Sequence, residues 1–245
     1  MLSGLTFSIL MIWIKSNNIQ CPHGFSTRHG GISPQPFNSL NLGGSHDQPE
    51  NILQNRQMAL QALKLADYDL CYLNQVHGKE VCVAKAGEQT GDALVSNQKK
   101  QVLAIGIADC YPILFYDAHN AVIGAAHAGW RGTLAKIAEH TLKHMLLLGA
   151  DLSHIQVAIG QGISQNKFEV GAEVIAQFEA AGFEKNCWQQ NKIDLAQSNR
   201  EVLLKAGIAE KNIWVMQRCT YEDDFFSYRR DKGITGRMWA VIALP

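Results

Sequence analysis

Three short stretches of the chain carry residue types that could do chemistry together: Gln75-Val76-His77-Gly78, Ala108-Asp109-Cys110 and His127-Ala128-Gly129-Trp130-Arg131-Gly132. A thiolate and an imidazole on rigid backbone serve either as metal ligands or as a nucleophile with its base. If His77 joins Cys110 and His127, three ligands leave one coordination position open, which is the format of a catalytic zinc site. Without metal, Cys110 and His127 make a thiolate–imidazolium pair of the cysteine-hydrolase kind. None of the three pairs lies at helical or CxxC spacing, so spacing leaves both readings open. The elements that must position them are a hairpin and a loop. Pro112 to Tyr116 is apolar, Asp117-Ala118-His119-Asn120 is a turn, and Ala121 to Ala126 is apolar again. That pattern returns His127 to the strand end that carries Cys110. His77 lies between two further strand-like runs, Leu70–Leu73 and Val81–Ala84.

Each candidate has a bland counterpart. Buried cysteine is commonly a small hydrophobe, but Asp109 beside Cys110 is hard to bury without a partner or a task, so Asp109 is a candidate catalytic residue. Arg131 stands ahead of a helix start, where free N–H groups and a guanidinium make an anion site; a tight turn with a surface arginine explains it equally well. Phe25-Ser26-Thr27-Arg28-His29-Gly30-Gly31 is a basic, glycine-terminated loop suited to an anionic or ribosyl ligand, or a solvated turn. In Phe225-Phe226-Ser227-Tyr228-Arg229-Arg230-Asp231, followed by Thr235-Gly236-Arg237, Phe226 could stack on a base and Arg230 pair with phosphate. A structural Arg–Asp cluster accounts for the same residues. Gly160-Gln161-Gly162 has the start of a dinucleotide loop but lacks the third glycine.

Composition narrows the class. The 245 residues carry 22 basic and 22 acidic side chains, which gives no basic surplus for nucleic acid or an anionic membrane. Six cysteines without a CxxC pair read as reduced thiols in a cytoplasmic protein. Leu5 to Ile14 is apolar but too short to span a bilayer and lacks the flanks of a signal peptide. Residues 1–10 read as an extension upstream of a start at Met11, and residues 11–245 as a single catalytic domain.

Residues 22–48 have little periodicity and read as a long functional loop. Asn51 to Leu65 has helical spacing. Val102–Ile107, Ile113–Tyr116 and Val122–Ala126 read as central strands. Thr133 caps a helix that runs through Leu148, with Ile137, Ala138, Thr141, Leu142 and Met145 on one face. Ile155–Ile159, Ile213–Met216 and Met238–Leu244 read as strands. Gly171–Ala181 and Asp194–Ala206 read as helices, the latter capped by Asp194. Hairpins mixed with helices predict an α+β protein with layered mixed sheets flanked by helices.

Taken together, these motifs resemble the laccase-domain family, whose bacterial members are variously called polyphenol oxidase, purine nucleoside phosphorylase and peptidoglycan editing factor. The matching stretches are Phe25–Gly31, Ser39–Leu42, Asn55-Arg56, Gln75–Gly78, Asp92–Leu94, the Ala-Asp-Cys-Tyr-Pro-Ile-Leu-Phe run from Ala108, and Ala-Ala-His-Ala-Gly-Trp-Arg-Gly ending at Gly132. Ile-Gly-Gln-Gly-Ile-Ser from Ile159, Phe168–Gly171, and the motif from Phe225 through Arg237 complete the set. The resemblance implies a single α/β/β/α domain of the cysteine-hydrolase type, and a metal site of His77, Cys110 and His127. It also implies phosphorolysis of adenosine, inosine and methylthioadenosine, with deamination of adenosine. Two departures stand near the expected cleft: Gln161 where proline is common, and Phe168 where tyrosine is.

The family's oxidase name fits the residues less well. A multicopper oxidase needs roughly ten histidines in paired arrangements, whereas this chain has nine and no His-x-His. Copper-dependent polyphenol oxidation is therefore read as secondary. Zinc suits deamination at C6, for which Asp109, Asp92 or Glu169 is the candidate proton shuttle. Phosphorolysis needs an anion site, for which Arg28, Arg56 and Arg131 are unranked candidates. The expected partners are purine nucleosides and phosphate, with no nucleic acid or membrane, in a monomer or small homo-oligomer. The alternative is a Cys–His hydrolase or amidase acting on a peptidoglycan precursor.

Overall fold

A computed structural model describes residues 13–44 and 46–245. The expected extension at residues 1–10 and the start at Met11 lie outside the described residues. With elements numbered in chain order, two six-stranded mixed sheets form the centre. The first runs β1 (Trp13–Ile14), β2 (His23–Ser26), β14 (Met238–Ala243), β7 (Gln101–Ile107), β3 (Asp69–Asn74), β5 (Gly87–Thr90). The second runs β13 (Ile213–Val215), β10 (Gln156–Ile159), β8 (Tyr111–Asp117), β9 (Val122–Ala128), β6 (Ala93–Ser96), β4 (Val81–Val83). A small ribbon pairs β11 (Trp188–Gln189) with β12 (Lys192–Ile193). The helices are α1 (Pro49–Ala62), α2 (Trp130–Leu134), α3 (Ile137–Leu147), α4 (Ala172–Ala180) and α5 (Leu195–Lys205).

Strand alternation builds the layers. Leu103, Ile105 and Ile107 of β7, with Met238, Ala240 and Ile242 of β14, pack against Leu114, Ile123 and Ala125 in the core between the sheets. The alternate residues Val102, Ala104, Trp239 and Val241 face outward to Ala59 and Leu60 of α1. On the far side, Ile113, Phe115, Val157 and Ile159 are covered by Ile137 and Met145 of α3, Phe178 of α4 and Leu203 of α5. The result is the expected α/β/β/α arrangement.

Two expectations change. The stretch 22–48 is not all loop, because His23–Ser26 is a strand between β1 and β14. All four of its residues are buried, so it shows no alternation in sequence. The helix expected from Thr133 to Leu148 is two helices, broken at Lys136, whose φ of 58° is left-handed. Gly129, not Thr133, precedes the first helical residue. The Thr133 hydroxyl instead accepts a buried hydrogen bond from Asn199 Nδ2 on α5, at 2.9 Å.

The hairpin forms as expected, with Tyr111 opposite Ala128 and Pro112 opposite His127. Its turn is tied by the buried Asp117 carboxylate, which accepts from the His119 and Asn120 amides at 2.9 and 3.0 Å and from the Asp151 amide at 2.8 Å. Burial pushes this carboxyl up, but the hydrogen bonds outweigh it and hold it below the usual carboxylate range. Asp117→Ala should therefore cost roughly 2–3 kcal/mol, a fall in Tm of about 4–12 °C for a domain this size. A depressed native pKa adds stability above the ordinary carboxylate pKa, and that contribution is lost as pH falls through the depressed value. The Tm gap between parent and variant should accordingly shrink from pH 7 to pH 3 in calorimetry.

Candidate active site

Both connections that carry the chemistry cross from one sheet to the other. Ala108-Asp109-Cys110 links β7 of the first sheet to β8 of the second, and the His77 loop links β3 to β4. Because β3 and β7 are parallel, both crossings leave the same end of the first sheet. There they meet the strand end of β9 that carries His127. The ligand atoms of His77, Cys110 and His127 all lie within 4.8 Å of one another. The two imidazoles meet edge to face, with centroids 4.8 Å apart. His127 is buried, Cys110 half-buried and His77 exposed.

A fourth residue holds this arrangement. Asp92, at the head of β6, has no exposed surface and accepts four N–H groups. They are the amides of Val76, His77 and Gly78, at 3.3, 3.0 and 2.6 Å, and His127 Nδ1 at 2.8 Å. One carboxylate thus gathers the His77 loop, keeps His77 at a left-handed φ of 59°, and fixes the His127 ring. Since Nδ1–H of His127 points to Asp92, Nε2 is the atom left for a metal or for Cys110. Fully engaged in this way, Asp92 is a positioning group and not a free proton shuttle. Asp109 is also engaged: Oδ1 accepts from the Thr220 hydroxyl at 2.6 Å and Oδ2 from the Arg229 amide at 2.7 Å. Its left-handed backbone, φ 89°, turns the chain into Cys110.

Burial alone pushes the Cys110 thiol up, but the positive charge of His127 and hydrogen bonds from His127 and His77 reverse the effect and bring it well down. Burial alone pushes His127 down, yet the thiolate and Asp92 raise it. The pair therefore favours thiolate and imidazolium, the form in which sulfur is both a nucleophile and a metal ligand. Two nitrogens and a thiolate are a donor set that suits zinc or copper, and the three form a group that could hold one ion.

The cluster opens into a cleft of about 810 Å³. Aromatic surface from Tyr72, Trp130, Phe168, Tyr228 and Trp239 lines it, with the guanidinium groups of Arg56, Arg131, Arg229 and Arg237. Of the arginines singled out from sequence, Arg56 and Arg131 line this cleft. Arg28 does not, because its guanidinium bonds the Asn38 carbonyl at 2.7 Å and lies over Phe226. Arg230 is tied to Asp231 and to the carbonyls of Thr220, Glu222 and Phe225, so it is the structural cluster, not a phosphate ligand. Phe226 has no exposed surface and packs between the sheets, where no base can reach it. Tyr228, Arg229 and Arg237 of the same motif reach the cleft instead. Gln161 is buried against the Ser26 carbonyl, whereas Phe168 lines the cleft. The neighbouring Gly160 and Gly162 admit the Phe25 and Tyr111 rings, where a Cβ would come within 2.4 and 2.5 Å, so this pair serves packing.

Gly129 has a direct bearing on the centre. A Cβ there would stand 2.9 Å from Cys110 Sγ and 3.4 Å from His77 Cδ2. Its φ of −72° is ordinary for alanine, so the conflict is purely steric. Gly129→Ala should fold normally and bind metal about 10–100-fold more weakly, as read by competition with a chromophoric chelator.

The fold and centre define a class: a four-layered α/β/β/α protein with a His–Cys–His cluster where strand ends of both sheets meet beside an arginine-lined cleft. Residues 22–245 match the family described as multi-copper polyphenol oxidoreductase laccase, and the chain belongs to that family. It is 47% identical over 236 residues to a purine nucleoside phosphorylase of Deinococcus radiodurans, covering 95% of this chain and 92% of the relative. It is 37% identical to the purine nucleoside phosphorylase YfiH of Escherichia coli, over 89% of this chain and 92% of that one. Among solved structures, the YfiH protein of Bacillus licheniformis superposes with a TM-score of 0.87 at 30% identity, covering 91% of this chain and 92% of its own. Among the described residues His77, Cys110 and His127 form the one cluster able to hold a metal ion, and no helix is long and apolar enough to cross a membrane.

Proposed function

We propose that this chain is a purine nucleoside phosphorylase acting on adenosine, inosine and methylthioadenosine, with adenosine deaminase activity at the same centre. The observation that carries this reading is the His77–Cys110–His127 cluster opening into a cleft that offers both flat aromatic surface and unpaired guanidinium groups. The names of the relatives support the substrate class. His77, Cys110 and His127 would hold zinc, which supplies Lewis acidity and makes water nucleophilic near neutral pH.

The chain's own residues do the rest. Aromatic faces of Trp130, Phe168 and Tyr228 stack on the purine and exclude water from it. Arginine side chains neutralise phosphate, whose oxygen bonds to C1′ as the C1′–N9 bond breaks and its electron pair leaves with the base. In deamination, water replaces the amine at C6 and ammonia departs. Asp92 keeps the proton on His127 Nδ1 and so keeps Nε2 turned to the centre. Copper-dependent polyphenol oxidation is a side activity of the same three ligands.

Purified protein should contain zinc near one equivalent and should release ribose 1-phosphate and free base from adenosine and phosphate, with inosine as a second product. Absence of zinc together with absence of all these products would overturn the reading. One observation favours a second reading: Cys110, His127 and Asp92 are arranged as nucleophile, base and orienting acid. A Cys–His hydrolase acting on a peptidoglycan precursor amide would be trapped at Cys110 by an electrophile and would be indifferent to chelators.

A further inference from the structure

Four arginines line the cleft, and they are not equivalent. Arg131 lies over Trp130, and Arg229 lies over Phe168 with one N–H on the Glu169 carbonyl. Arg56 and Arg237 differ in being anchored by one and the same segment. Arg56 Nε donates to the Leu42 carbonyl at 2.9 Å, and the Arg237 amide donates to Asn41 Oδ1 at 2.8 Å. The Leu42 amide in turn donates to the Arg237 carbonyl at 2.9 Å. Both side chains flank Gly43, where a Cβ would lie 3.6 Å from Arg237 Cβ and 3.8 Å from Arg56 Nη2.

Neither guanidinium makes an ion pair with a carboxylate among the described residues. Arg56 is sandwiched by the Tyr72 and Trp239 rings, and its terminal nitrogens have no hydrogen-bond acceptor in the protein among those residues. Arg237 gives Nη1 to the Thr235 and Gly236 carbonyls, which leaves Nε and Nη2 for a ligand. Two half-buried guanidinium groups anchored to one segment, each with N–H donors left over, offer charge-assisted hydrogen bonds that a dianion can accept from both. Glu88 lines the same cleft, opposite Tyr72 in the strand register, but stands beyond ion-pair distance of either arginine.

We propose that Arg56 and Arg237, with the Asn41–Gly43 segment that fixes them, form a binding site for a phosphoryl dianion. As the phosphate subsite of phosphorolysis it rests on the function proposed above, and it ranks these two residues ahead of Arg131 and Arg229 for that task. The same chemistry would receive the 5′-phosphate of a nucleotide, so the two sources must be separated.

Full-length parent protein and the variants Arg56→Gln, Arg237→Gln and the exposed control Lys99→Gln would be titrated calorimetrically, first with inorganic phosphate and then with adenosine 5′-monophosphate. Arg56→Lys, which keeps the charge and loses the fork, guards against loss of packing between the two rings; Tm values verify folding. Phosphate affinity should fall at least about tenfold in both Gln variants, the loss of one charge-assisted contact, and stay at the parent value in Lys99→Gln. Arginine-dependent binding of the nucleotide alone would keep the site and assign it to a nucleotide. Affinity within about twofold of the parent for both ligands in the folded Gln variants, or no binding of either ligand to the parent, overturns the proposal. Ribose 1-phosphate formed equally by parent and both variants would remove the subsite and leave the phosphorylase reading standing. Arginine-dependent phosphate binding without any phosphorolysis would do the reverse.

Discussion

Cys110→Ala should lower kcat/KM by at least about a thousandfold while the melting temperature stays within a few degrees of the parent. The expectation follows from where the thiol sits. Cys110 is half-buried at the crossing between sheets, outside the three apolar cores, so its truncation opens a gap toward the cleft and not a cavity inside packed side chains. The sheets are held by the interdigitated residues of β7, β14, β8 and β9, and Cys110 is not one of them. What disappears is the thiolate, and both chemistries available to the centre require it. The zinc content of the variant separates them: loss of metal along with activity marks Cys110 as a ligand, whereas loss of activity with unchanged metal content marks a nucleophile. Retention of more than about a tenth of the parent turnover would overturn both. Retained folding would also separate this centre from a structural metal, whose removal usually unfolds its surroundings.

The hairpin that joins Cys110 to His127 was legible because its signals are local: two apolar runs, a four-residue polar turn, and a register that returns one strand end to the other. His77 was legible from its own surroundings only as a loop residue between strands, and it became the third member through its motif and the family resemblance. Its approach depends on β3 and β4 belonging to different sheets, and nothing in Leu70–Leu73 or Val81–Ala84 encodes sheet membership. Strand β2 escaped for a related reason, since His-Gly-Phe-Ser is buried throughout and its partners β1 and β14 lie far apart in sequence.

The motif from Phe225 to Arg237 shows where residue type stops being informative. Arg230 and Arg237 are the same chemical group a few residues apart, yet one ties down three carbonyls and the other faces the cleft. The difference arises from the turn at Asp231, whose carboxylate binds Arg230 and Thr235 and sends the chain back toward β14. Sequence alone identified the cluster but not which arm of it points to the ligand. Asp92 was visible as part of a motif, and its role was not, because the three amides it gathers come from a different loop.

Asp92→Asn should be the most damaging change of a single atom type. The parent carboxylate receives four N–H donors, two on each oxygen, with no exposed surface. An asparagine offers one oxygen and turns an NH2 group toward N–H donors on the other side, leaving buried donors without acceptors. Loss on the order of 3 kcal/mol follows for a buried, charge-assisted network. The functional loss is separate: His77 depends on this carboxylate for its left-handed turn, and His127 depends on it for ring orientation. Metal affinity and kcat/KM should fall about 10–100-fold, more than the fraction unfolded can explain at temperatures well below Tm. Burial raises the Asp92 carboxyl, but hydrogen bonds from His127 and Gly78 and the charge on His127 lower it below the usual carboxylate range. Its stabilising contribution is therefore complete above the ordinary carboxylate pKa and is lost as pH falls through the depressed value. The parent should lose stability steeply in acid while Asp92→Asn, with no carboxyl to protonate there, loses less, and the two Tm curves should converge between pH 7 and pH 3. Parallel curves, or a variant that binds zinc as tightly as the parent, would show that the His77 loop and His127 are held by their own packing and not by Asp92.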